Sequence, residues 1–154
     1  MSSFPATITE DIEASSVQEY AVSVTSGETA AASGELMYFD TSTQTLKRCG
    51  ADPSLIAGIA EGASATWRLL TPNNKIPLRT LSPRCGVRMC SSTTLSEANV
   101  GVAYGIVRDA NGFWAVDTTD TSNTRVFVYR VDTGANAAFV RFVAANLQFD
   151  AIAS

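Results

Sequence analysis

The side chains best suited to chemistry in this chain are carboxylates and hydroxyls. Asp117-Thr-Thr-Asp120-Thr-Ser-Asn123 gathers oxygen donors of the kind calcium takes, but it lacks the Asp-x-Asp-x-Asp-Gly register and the downstream glutamate of a helical calcium loop. Such residues ordinarily bond their own backbone and shape a loop, so no metal site is expected. Glu10, Asp11 and Glu13 are neighbouring carboxylates, yet nothing around them supplies the apolar pocket that would tune one as an acid. Gly58-Ile-Ala-Glu-Gly62 and Gly101-Val-Ala-Tyr-Gly105 carry spaced glycines without the helix that must follow a phosphate cradle. They are expected to be structural. Trp67, Tyr104, Trp114 and Tyr129 offer flat rings for a sugar face, although packing a β core is the commoner use of such residues.

The chain has no histidine, which removes Ser-His-Asp and Cys-His catalysis and histidine zinc sites. Its three cysteines, Cys49, Cys85 and Cys90, are too few for a four-thiolate centre and are expected to be buried thiols, with a Cys85–Cys90 bridge left open by their spacing. No catalytic residue, cofactor or metal is therefore expected, and the chain is read as not an enzyme. Eleven basic against fifteen acidic residues give a net charge of −4, and the longest basic run is Lys47-Arg48, which argues against nucleic acid as a partner. No apolar stretch reaches the ~20 residues of a bilayer span, and the N-terminus has neither the basic start nor the apolar centre of a signal peptide. Neither a membrane nor export is expected.

Any site must be positioned by strands. Of 154 residues, 45% are hydrophobic and only 17% charged, against a usual ~25% charged, so a packed body with surface to hide is expected. Tyr20, Val22 and Val24 alternate with small or polar residues in a two-residue period. Residues 35–40 and 45–48 read as a hairpin, and 55–60 as a short buried strand whose central glycine admits another backbone. Strands are also expected at 67–70, 76–81, 87–90, 100–108, 113–116, 125–131 and 138–144, with a helical turn near 96–101. Asp109-Ala-Asn-Gly112 is the clearest turn signal. The pattern predicts an all-β fold, a β-sandwich or β-barrel of short antiparallel strands. Residues 1–17 lack a sustained period and read as an extended N-terminal arm; residues 18–154 read as a single β domain. Phe4, Ile8 and Ile12 are the arm's apolar docking candidates.

One stretch resembles a known family. Gly34-Glu-Leu-Met-Tyr-Phe-Asp-Thr-Ser-Thr-Gln-Thr-Leu-Lys-Arg48, followed by Leu55-Ile-Ala-Gly-Ile-Ala-Glu-Gly62, resembles the small capsid decoration, or cement, proteins of tailed bacteriophages. The Ala115–Thr121 connector, Val128–Asp132 and Val140–Phe142 are similar to the same proteins, so the likeness runs over about residues 27–149. Its motifs are general β grammar. The resemblance implies a structural virion protein on the capsid exterior, made in the bacterial host cytoplasm, that cements neighbouring subunits of the major capsid protein without catalysis. It further implies a homo-oligomer, with a trimer expected before a dimer. Phe4, Ile8 and Ile12 become capsid-interface candidates through the arm, not by correspondence with family residues. The alternative is a carbohydrate- or receptor-binding β module of a phage tail or fibre, built on the four aromatics.

Overall fold

The computed structural model describes residues 3–10, 17–21, 34–61 and 75–149. Among these the chain is all-β, with short 3-10 turns at Glu97–Asn99 and Ala144–Asn146 and no α-helix. Strands β7 (Gly86–Ser91), β8 (Ala103–Arg108), β9 (Trp114–Asp117), β10 (Val126–Asp132) and β11 (Ala137–Phe142) follow one another around a barrel in the order β7-β11-β10-β8-β9. A parallel pairing of Cys90 with Ala115 and Ser91 with Val116 joins β9 back to β7 and closes it. Every other neighbour in the ring is antiparallel.

The second sheet is a curled one, β2 (Val17–Ala21), β6 (Lys75–Thr80), β5 (Gly58–Ala60), β3 (Leu36–Asp40) and β4 (Thr45–Arg48), in that order. The choice between sandwich and barrel is thus resolved as a closed barrel beside a curled sheet. The arm does not simply extend away. Its β1 (Thr7–Glu10) pairs antiparallel with the first half of β7, continuing the edge that β9 occupies further along that strand. Residues 11–16, 22–33 and 62–74, and with them Ile12 and the expected strand at 67–70, lie outside the described residues.

Aspartates shape the hairpins. Asp109 Oδ1 accepts from the amides of Asn111 and Phe113, both at 2.9 Å, while Gly112 takes the left-handed φ of 85° that closes β8 onto β9. Asp132 Oδ1 does the same for Gly134 and Ala135 between β10 and β11, and Asp40 for the amide and hydroxyl of Ser42 between β3 and β4. Lys47 also pairs with Asp40 at 2.6 Å. This lysine, with the Ser42 bonds, holds the Asp40 carboxyl well below the usual carboxylate range.

Alternation then sorts the side chains. Val126 and Val128, Ala138, Val140 and Phe142, and Val87 and Met89 point into the barrel, where they pack with Ile106, Trp114 and Val116. A separate cluster of Met37, Leu46, Ala57, Ala60, Ile76 and Leu78 lies on the curled sheet, flanked by the rings of Tyr20, Phe39 and Phe149. Gly58 carries the close approach expected of it, since a Cβ there would stand 2.2 Å from the Arg79 carbonyl oxygen. Two expected strands start late. The one from residue 55 begins at Gly58, Ile56 making only an isolated bridge to Leu147. The one from residue 100 begins at Ala103, because the turn at Glu97–Asn99 and the φ of 86° at Gly101 precede it.

Candidate functional site

The acidic connector spends its oxygens on itself. Asp117 Oδ1 accepts from the Thr119 amide at 3.0 Å and hydroxyl at 2.6 Å, and Asp120 Oδ1 accepts from the amides of Ser122 and Asn123. The Asn123 and Ser122 amides lower the Asp120 pKa. Asp120 also lies over Gly105, where an added Cβ would sit 2.5 Å from Oδ2, so only glycine lets the loop settle on β8. Among the described residues no group of three or more acids and cysteines is placed to hold a metal ion.

The aromatic platform does not form as pictured. Trp114, 1% exposed, and Tyr104 are buried in the barrel core, Tyr129 lies on another face, and Trp67 falls outside the described residues. Their rings fill the barrel because its narrow interior needs large apolar side chains. Cys49, Cys85 and Cys90 are buried thiols with no disulfide between them. Burial raises the pKa of Cys49 and Cys90, which leaves them protonated and poor nucleophiles.

Sequence reasoning passed over Glu35. It is only 2% exposed, at the entry to β3, and is the one acid among the buried residues described. Arg108 donates to it through both Nε (3.1 Å) and Nη2 (3.0 Å), Trp114 Nε1 donates at 3.0 Å, and Arg48 Nε lies 3.6 Å away. Arg48 belongs to the curled sheet and Arg108 and Trp114 to the barrel, so one carboxylate ties the two sheets together. A cleft of about 460 Å³ opens beside it, lined among others by Arg48, Arg108, Asp117 and Asp120. The available signal was an acid between Gly34 and an apolar strand, which composition alone does not separate from a solvated one.

The arm's candidates meet the barrel. Ile8 packs against its core while staying half-buried, and Phe4 lies under the Arg88 guanidinium, 4.0 Å from the ring centre. Gly34, with φ of 90°, lets Pro5 and Ala6 pass closely, and Asn111 Nδ2 donates to Ser3 Oγ at 2.9 Å. On the same outer face, Arg130 lies 3.8 Å from the Phe139 ring centre and Arg141 5.0 Å from that of Tyr129. Phe4 and Ile8 are therefore brought together with an arginine-rich sheet surface that the sequence did not reveal.

Among the described residues no helix is long and apolar enough to cross a membrane. Comparison with protein-family models, curated proteins and solved structures gives no match to this chain.

Proposed function

We propose that this chain is a structural virion protein that binds the outside of an icosahedral phage head and cements neighbouring major capsid subunits. It is made in the host cytoplasm and works as a homo-oligomer, a trimer before a dimer. The observation that carries this reading is the fate of the family-like stretch. Residues Gly34 to Arg48 and Leu55 to Ala60 fold as one contiguous unit, β3–β4–β5, and Glu35 within it joins that unit to the barrel. The resemblance thus falls on an architectural element. Around it, the described carboxylates and thiols best suited to catalysis are committed to turns, ion pairs or burial.

Strand β1 pairs with β7 of its own barrel, so its main-chain groups there are already used, and what the arm offers a capsid is side chains such as the half-buried Phe4. Symmetric copies on a shell then multiply modest contacts into avidity. The test is co-sedimentation with expanded, undecorated heads of the chain's own virus. Retention in the pellet after washing is expected, and removal of residues 2–16 is expected to lower it by taking β1 from the barrel edge. A full-length chain that stays in the supernatant overturns the proposal.

A further inference from the structure

Three arginines on the barrel exterior stand apart from the rest. Arg88, Arg130 and Arg141 lie on adjacent strands β7, β10 and β11, each over an aromatic ring, and none of the three makes an ion pair with a described carboxylate. Register explains the arrangement. Arg130 faces Phe139, and Phe139 faces Arg88, in one row across three strands; Phe127 faces Arg141 in the next. Residues directly opposite one another share a face, so cations and rings alternate in two dimensions. Phe127 is 43% exposed, and a shallow groove of about 340 Å³ runs beside Arg130 and Phe139. Arg141 Nε is buried without a hydrogen-bond acceptor.

Several other described arginines are matched, although the Arg48 Nε, like that of Arg141, is buried without a hydrogen-bond acceptor. Arg48 and Arg108 share Glu35, Arg79 holds Glu61 at 2.5 Å, and Arg125 donates to the carbonyls of Pro53, Asp52 and Thr124. In a chain with a net charge of −4, three guanidinium groups on one face without an ion pair to a described carboxylate mark where an external anion fits; Asp132, which lines the groove beside Arg130, turns its Oδ1 to the amides of Gly134 and Ala135. The alternation of arginine with phenylalanine and tyrosine has the composition of the buried centre of protein interfaces. A polyanion fits less well: three cations give a short track, and the overall negative charge repels it.

We propose that the outer face of β7, β11 and β10 docks a carboxylate-bearing protein surface, its arginines held over aromatic rings for that purpose. This rests on the reading of the chain as a partner-bound structural protein, and it names the side that meets the head. The ring beneath each guanidinium restrains it, so that less freedom is lost when a carboxylate pairs with it. The half-buried Phe4 extends the same face, which makes the arm part of the docking surface.

The test uses the full chain, with an acidic peptide of glutamate and leucine as one probe and oligo-dT as the other. Side-chain Nε–H resonances of Arg88, Arg130 and Arg141 should shift saturably with the peptide. Arg130→Glu should weaken peptide binding at least about tenfold, and Arg130→Lys, which keeps the charge but loses the guanidinium, by less. Circular dichroism on both variants separates folding from binding. No peptide binding by the parent chain, unchanged binding in the folded Arg130→Glu variant, or tighter binding of oligo-dT than of the peptide overturns the proposal. A head-binding assay distinguishes the two readings. Peptide binding without head binding keeps this surface and sinks the virion role; head binding unchanged by Arg88→Glu, Arg130→Glu and Arg141→Glu together does the reverse.

Discussion

Arginine is used in two opposite ways here. At the seam between barrel and curled sheet, Arg48 and Arg108 converge on the buried Glu35, and Trp114 completes the set. On the barrel's outer face, Arg88, Arg130 and Arg141 rest on rings without a described carboxylate opposite. In the seam the shared carboxylate is buried, and removing it would leave the buried Arg48 Nε without its ion-pair partner and the Trp114 N–H without an acceptor; on the face Arg130 is exposed and Arg88 and Arg141 are half-buried. The first set joins the two sheets, and the second is the one proposed to meet a partner. If the proposed docking holds, one residue type serves architecture or recognition according to whether its counter-charge lies within the chain.

The largest expected effect breaks the seam. Glu35→Ala leaves the buried Arg48 Nε and the Trp114 N–H without their partner, while Arg108 is exposed enough to turn to water, and urea denaturation should show a loss of about 3 kcal/mol. Gly58→Ala comes next. Its methyl would collide with the Arg79 carbonyl across β5 and β6, and a loss of about 1–3 kcal/mol is expected in the same assay. The Asp40 turn should respond to pH. Its folded-state pKa lies below the ordinary 3.8, so its contribution is complete above about pH 4 and is lost as pH falls further. Urea midpoints followed down through that range should fall less steeply in Asp40→Asn than in the parent, and salt should shrink the difference in part because the pair is only half-buried. The smallest effect sharpens the other side of the contrast: Arg130→Ala should change stability by no more than about 0.5 kcal/mol. A large loss there would make the outer arginines structural as well.

Local pattern carried far in the sequence. The hairpin of residues 35–48, the turn at Asp109–Gly112 and the strand pair β10–β11 follow from turn residues and two-residue alternation, both local properties. Barrel closure does not, because the parallel β7–β9 pairing joins residues 25 positions apart, such as Cys90 and Ala115, and leaves no local trace. The weak patterning of the first residues did not reveal β1, whose pairing with β7 depends on an edge that exists only once β9 has turned away. Glu35 was illegible for a related reason. Its partners Arg108 and Trp114 come from strands about 75 residues later, so nothing near it in sequence distinguishes a buried acid from a solvated one. The outer-face arginines needed strand register before they could be seen as one surface.

The virion role is tested most directly by titrating the purified chain onto undecorated heads of its own virus and counting bound copies per major capsid subunit. The account predicts saturation at a fixed ratio set by the symmetry of the shell, with occupancy lost when Arg88, Arg130 and Arg141 are all changed to glutamate. Binding that never saturates, or none at all, would contradict it.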